Sequence, residues 1–168
     1  FCESIDSCFS LNGLYSDKLT DEFECLAGKP TYIPKQMFYS FIMDRIGFTG
    51  FYIAFTGQSI INTDPPTCYL PSTIAHEIAH QRGVVLESEA NFVALAACLY
   101  SGDPVYMYSG SLLGLSKLMN ALYTEDSDTW LALYEKLPSA VICDWRANSE
   151  FWKQYEGKTN DTATAVYD

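Results

Sequence analysis

The sequence predicts a single α+β domain that is mainly helical, with a small sheet directly before one central helix. Its 168 residues are enough to bury one core. Apolar residues make up 48% of the chain and charged residues 18%, which is a globular composition rather than a disordered one. Apolar residues recur mostly at the helical spacing of three and four, and only the stretch 51–62 is β-prone.

The first elements are predicted to be helical. A short helix is expected near Asp17 to Leu26, inside a cysteine-containing N-terminal segment that spans residues 1–33. Pro34 can open a helix in its first turn, and the apolar residues from Gln36 to Ile46 have helical spacing. We therefore predict a second helix over Gln36 to Ile46.

The sheet is predicted from two adjacent β-prone stretches. Phe51 to Phe55 is aromatic, and Ser59 to Asn62 continues the pattern after Gly57. The two stretches form either a strand pair or one bulged strand. Thr63 to Pro71 contains three prolines and is predicted to be a loop.

Helices are predicted for the rest of the domain. The first of them is expected to stop at Gly83, because glycine commonly follows the last turn of a helix. Together they complete a core that runs over residues 34–156, and the polar stretch 157–168 is expected to be a loose tail. The predicted helices are Pro71 to Arg82, Leu86 to Tyr100, Ser109 to Leu122, Ser127 to Lys136 and Ser139 to Tyr155.

Charge and cysteine content restrict the partners and the compartment. The formal charge of −11 argues against nucleic acid and anionic lipid headgroups as partners.

Six cysteines favour an oxidising compartment, although some, Cys98 above all, fit equally well as small buried apolar residues. The longest apolar run, Phe92 to Tyr100, is far shorter than the roughly 18 residues of a membrane span. A chain that starts at Phe1 is expected to be either a processed form or a piece of a longer protein.

Residues 76–80 read His-Glu-Ile-Ala-His and use both histidines of the chain. On a helix, residues four apart lie on one face, so His76 and His80 can present two imidazole nitrogens to one Zn²⁺ ion. Glu77 is then the predicted general base, which takes a proton from the attacking water and delivers it to the leaving group. The alternative is a pair of surface histidines on an amphipathic helix.

The third zinc ligand is predicted to be Glu87, with Glu89 as the rival. The position at which metzincins carry a third histidine is Leu86, which cannot bind metal. The spacing of Glu87 and Asn91 resembles gluzincins, in which a Glu on the following helix binds zinc and a residue four positions later supports a histidine from outside the ligand sphere. Glu89 lies nearly opposite Glu87 on that helix, so only one of them can reach the ion.

Substrate-contacting residues are predicted less directly. No third histidine exists to stabilise an oxyanion, so a Tyr or Arg is expected to do so. Tyr108 is the predicted catalytic residue, with Tyr106 and Arg82 as alternatives, and packing as the alternative role for each. The edge strand of the sheet is expected to bind extended substrate within Phe55 to Asn62. The predicted substrate-binding residues there are Gly57, Gln58 and Ser59.

From Pro34 to about Asp168, the chain resembles an uncharacterised family of zinc metallopeptidases from Gram-positive and related bacteria, known as a domain of unknown function. The resemblance is strongest over residues 76–92 and rests on three stretches, GFYIAFTGQSIINTDPP, LPSTIAHEIAHQRGVVLESEANF and SGDPVYMYSGSLLGL. It implies zinc ligands His76, His80 and a Glu of the ESEAN run, Glu77 as base, and more weight on Tyr108. It also implies a membrane anchor outside this chain and a domain on the outer face of the bacterial membrane.

The chain departs from the family at Gln58, where the family usually has Glu. The leading hypothesis is a zincin-like zinc endopeptidase domain that acts on a peptide or protein substrate. The first alternative is a zinc-containing but non-catalytic extracellular binding or sensor domain. The second is a purely structural zinc site, which normally has four protein ligands.

Overall fold

The computed structural model describes residues 5–11, 13–28 and 31–156, and most of this chain is helical. The expected α+β, mainly helical class is confirmed. The predicted polar tail lies outside the described residues. The helices are α1 (Asp17–Glu22), α2 (Ser40–Ile46), α3 (Leu70–Gln81), α4 (Glu87–Tyr100), α5 (Pro104–Glu125), α6 (Ser127–Tyr134) and α7 (Ser139–Lys153). Short 3₁₀ helices cover Ile5–Phe9, Glu24–Leu26 and Thr67–Tyr69.

The sheet has three strands, β1 (Lys35–Gln36), β2 (Gly50–Ile53) and β3 (Gln58–Ile61), in the order β1-β3-β2. β2 and β3 form a strand pair, the first of the two predicted alternatives, and the pair is antiparallel, with Gly50 opposite Ile61. β1 runs parallel to β3 on its other side. β3 is therefore the central strand, and β2 is an edge strand within the described part of the chain.

The region before α2 differs from the prediction of a helix over Gln36 to Ile46. Lys35 and Gln36 form β1 instead, and the backbone N–H of Met37 donates to the carbonyl of Ile61 at 2.9 Å. The helix begins only at Ser40. Pairing with a distant strand therefore overrides the local helical spacing, which the sequence of this segment cannot reveal.

α3 lies at the centre of the core, between the sheet and the helices α4 and α5. Ile74, Ala75, Ile78 and Ala79 are fully buried on it. The facing residues of α4 are also small and fully buried, among them Ala90, Ala94 and Ala97. Small side chains let the two helices approach closely, and this approach positions the first turn of α4 beside α3.

The N-terminal segment packs on this same core. Leu19 and Leu26 are buried, and the hydroxyl of Tyr15 donates to the carbonyl of Ala75 on α3 at 2.7 Å. Cys8 is disulfide-bonded, whereas Cys25, Cys68, Cys98 and Cys143 are free thiols. Cys98 is fully buried and burial raises its pKa to about 12, so it has the predicted role of a small apolar residue.

No helix in residues 5–11, 13–28 and 31–156 combines the length and the apolar character that crossing a bilayer requires.

Candidate metal centre

The two histidines of α3 lie side by side on one face of the helix. The Nε2 atoms of His76 and His80 are 3.0 Å apart, and the side chains are only 15% and 13% exposed. Pro71 lies in the first turn of α3, where a missing N–H costs nothing, and Gly83 follows its end with a left-handed φ of 85°. The helix is thus delimited as predicted, and the i, i+4 spacing brings both nitrogens together.

Glu87 completes a cluster of three donor groups, which we call the triad. It is the first residue of α4, and its carboxylate oxygens lie 3.1 Å from Nε2 of His76 and 3.5 Å from Nε2 of His80. Its side chain is 73% exposed, so the triad opens towards solvent. Glu89 lies elsewhere, against Phe23 and Phe92 in a separate surface cavity. Of the two rival carboxylates, the structure brings Glu87 to the histidines.

A backbone carbonyl orients His80. Nδ1 of His80 lies 2.7 Å from the carbonyl oxygen of Val84, so we assign the N–H to Nδ1, which donates to this carbonyl. Nε2 then keeps its lone pair and directs it into the triad. Sequence reasoning missed Val84, since a main-chain acceptor leaves no residue-type signal; only Gly83 before it indicates the sharp turn.

The environment of His76 also favours the form that binds metal. Burial, followed by the neighbouring charge of His80, lowers the pKa of His76 below its usual range. The imidazole is therefore neutral near pH 7. Neutral imidazole nitrogen is a common ligand of Zn²⁺.

Glu77 is buried directly beside the triad, between α3 and β2. It is 3% exposed, and its Oε2 atom has no hydrogen-bond partner in the described chain. Burial, together with the charge of Glu87, raises the pKa of Glu77 to about 8. A buried, unpartnered carboxyl next to a cluster of metal-binding groups is typical of a residue that transfers protons.

Gly50 on β2 makes room for Glu77, and sequence reasoning missed it. A Cβ atom at position 50 would lie 2.6 Å from Oε1 of Glu77, far inside van der Waals contact. Only glycine lets the strand approach the carboxyl this closely.

Two cavities meet at the triad. The strand-side cavity, of about 580 Å³, is lined by residues 47–52 of the β2 region together with Glu77 and the triad. The helix-side cavity, of about 340 Å³, lies between the start of α3 and the helices α4, α5 and α7. His76 and Glu87 line both cavities, so a single extended ligand could pass over the triad from one into the other.

The predicted substrate-binding residues Gly57, Gln58 and Ser59 are not among those that line the two cavities beside the triad, and their role stays a prediction. Gly57 lies in the turn before β3, and β3 is the central strand, so its backbone already pairs on both sides. Ser59 is buried; its hydroxyl donates to the carbonyl of Glu77 at 3.1 Å and accepts from Nε2 of Gln81 at 2.9 Å. Ser59 thus holds the sheet against α3, and the strand that lines the strand-side cavity is β2.

The predicted catalytic role of Tyr108 finds no support either. Its hydroxyl donates to Oδ2 of Asp144 on α7 at 2.6 Å, and it lines neither cavity beside the triad. Tyr106 is buried and donates to the carbonyl of Cys8 at 2.7 Å. Arg82 donates to Thr31 at 2.6 Å and lies over the ring of Tyr15. All three predicted electrophiles are therefore engaged in packing away from the triad.

Asn91 lies one turn after Glu87 and lines the helix-side cavity together with His76. Its side-chain amide donates to the carbonyl of Glu87 at 2.7 Å. The predicted support of a histidine is a different contact from this one, and it stays a prediction. The structure shows instead that the amide of Asn91 is hydrogen-bonded to the backbone of Glu87, which carries the third donor group.

Comparison with known proteins gives one result. No curated protein and no solved structure matches the chain. The model of one family, described as a protein of unknown function (DUF3810), matches residues 9–168, which is nearly the whole chain and includes both α3 and α4. The chain therefore belongs to the DUF3810 family.

Proposed function

We propose that this protein is a zinc-dependent peptidase of zincin type, with His76, His80 and Glu87 as ligands and Glu77 as general base. One observation carries the proposal. The imidazole nitrogens of two histidines and the carboxylate of Glu87 lie close together. Beside them, on the helix that carries both histidines, lies the buried carboxyl of Glu77, whose Oε2 has no hydrogen-bond partner in the described residues.

The spacing of the three donors fits zinc. Ligand atoms about 2.0–2.1 Å from a tetrahedral zinc ion are about 3.3 Å from one another. The corresponding separations here are 3.0, 3.1 and 3.5 Å. Two histidines and one carboxylate are a ligand set typical of catalytic zinc sites, which keep a fourth position open, whereas structural sites use four protein ligands. The donor set therefore favours a catalytic site over a structural one.

A bound Zn²⁺ would supply Lewis acidity that polarises a peptide carbonyl and acidifies a coordinated water. Glu77 would accept the proton of the attacking water at its carboxylate and return it to the amine that leaves. Its position suits this role, because Oε2 of Glu77 is buried beside the triad and has no competing hydrogen-bond partner within the described residues.

β2 is the proposed strand to which an extended substrate would add. The backbone N–H of Asn62 donates to the carbonyl of Thr49 at 2.9 Å, so alternation along the ladder turns the backbone groups of Gly50 and Tyr52 away from β3. These groups border the strand-side cavity and are free of strand pairing within the described residues. Main-chain hydrogen bonds to them would hold a peptide beside Glu77 largely independently of its sequence.

We also propose that the domain acts outside the cytoplasm, anchored to the membrane through a segment beyond this chain. The disulfide at Cys8 supports an oxidising compartment. The formal charge of −11 supports a protein or peptide partner over nucleic acid. Proteinase protection of the domain in whole cells and in lysed cells would test the location.

The function is tested with the zinc-loaded protein and a broad peptide library. Glu77→Gln should retain one zinc per chain and lose hydrolysis by about 10²–10⁴-fold, because the proton acceptor is gone. Glu89→Gln is the matched control, since it removes an equal charge outside the triad, and it should remain active. Full activity of Glu77→Gln would overturn the mechanism. A zinc-loaded wild type that cleaves no peptide would favour a non-catalytic binding or sensor domain.

A further inference from the structure

The helix-side cavity has a feature that the proposed chemistry does not use. Lys117 on α5 is the single basic residue among those that line either cavity beside the triad. It is also the single basic residue between Arg82 and Lys136, a stretch that contains seven acids. Lys117 is therefore an isolated positive charge on the wall of this cavity.

No carboxylate of the described chain pairs with Lys117. The ion pairs found there involve only His76, His80 and Glu87. Glu87 is the single acid on the wall of the helix-side cavity, and it belongs to the triad. Lys117 lines the same cavity as His76 and Glu87, so the cavity that holds its positive charge leads to the triad.

Part of the wall consists of polar groups that can donate hydrogen bonds to a carboxylate, and proline and leucine residues line other parts of it. The polar groups include Asn120, Asn148 and Tyr69, whereas the amide of Asn91 already donates to the carbonyl of Glu87. Tyr69 is 9% exposed, and its hydroxyl has no hydrogen bond of ordinary geometry in the described residues, although Ser116 lies close by. A buried hydroxyl in a polar cavity is a donor available to a ligand.

We infer that the helix-side cavity is a specificity pocket that receives a carboxylate of the substrate, with Lys117 as its counter-charge. The inference rests on the proposed function, because it places the pocket beside the bond to be cleaved. The carboxylate can come from an acidic side chain or from a free C-terminus, which offer the same chemistry. Lys117 is a specificity residue in this proposal and takes no part in proton transfer.

The test uses Glu77→Gln protein, which cannot turn over a ligand, and follows binding by NMR titration with and without zinc. The probes are acetylated tetra-alanine amides with Glu at each position in turn, the same set with Gln, and acetylated tetra-alanine with a free C-terminus. At least one carboxylate probe should bind about five- to tenfold more tightly than its neutral counterpart. The position of the preferred Glu, or a preference for the free C-terminus, identifies the source.

The preference must depend on Lys117. Lys117→Met should abolish the preference for the carboxylate probe without changing zinc affinity, and Lys117→Arg should retain that preference. Lys117→Glu should reverse it, so that a matched Lys peptide binds more tightly than the Glu peptide. Lys136→Met, an equal loss of charge away from both cavities, should leave it unchanged. The difference should also shrink in high salt. A preference that survives Lys117→Met, equal binding of Glu and Gln peptides, or binding of no probe at millimolar concentration would overturn the inference.

Failure of the pocket and failure of the proposed function give different results. A protein that takes up no zinc but still prefers the carboxylate through Lys117 would support the carboxylate pocket and contradict the proposed peptidase function. A zinc-loaded, active enzyme without that preference would contradict only the inference of a carboxylate pocket.

Discussion

The two sides of the triad are built from different parts of the polypeptide. On the strand side, the β2 region presents main-chain groups, Gly50 and the aromatic residues Phe48, Phe51 and Tyr52. On the helix side, α4, α5 and α7 present amide, hydroxyl and ammonium side chains. Under the proposed function, the first wall would position a peptide through its backbone, and the second would select among peptides by their charged and polar groups.

The largest effect is expected where the two sides meet, at Glu87. Glu87→Gln removes the anionic donor that touches both histidines, so zinc affinity should fall by more than about 100-fold, since even outer contacts of a zinc site are typically worth 10–100-fold. Glu89→Gln should bind zinc like the wild type. Competition with a metal-sensitive dye measures both affinities, and equal losses in the two variants would contradict the assignment of the ligand.

The contribution of the strand side can be tested by a substitution at Gly50. In Gly50→Ala, the new methyl group would collide with Oε1 of Glu77, so the carboxyl must move away from its position. Hydrolysis should fall by about 100-fold while zinc stays bound, because a displacement of about 1 Å at a catalytic group has effects of this size. Zinc content and the melting temperature provide the control for folding. Unchanged activity in a folded variant would show that β2 does not position Glu77.

The smallest effect is expected beyond the helix side, at Tyr108. Tyr108→Phe loses one hydrogen bond to Asp144 and should destabilise the fold by about 1 kcal/mol, with little change in kcat. A residue that stabilised the oxyanion would instead lose about 10²–10³-fold in kcat. Urea unfolding and steady-state kinetics on the same variant separate the two outcomes.

The sequence predicted the triad better than the walls around it. His76 and His80 are found from helical spacing alone, and Glu87 follows because a short link after Gly83 leaves the first turn of α4 close to α3. The position of β2 beside the triad was not predicted, because strand order depends on β1, whose pairing with β3 is a long-range contact. The contact between Tyr108 and Asp144 could not be predicted for a similar reason, since the two residues are 36 positions apart.

The triad also connects two helices that are separate in sequence, with two donors on α3 and the third at the start of α4. A zinc ion bound there would act as a reversible cross-link between them. Because it would bind the folded chain and not an equivalent site in the unfolded one, each tenfold rise in free zinc above the dissociation constant would add about 1.4 kcal/mol of stability. The melting temperature of the protein would then rise with the concentration of free zinc and fall when a chelator is added.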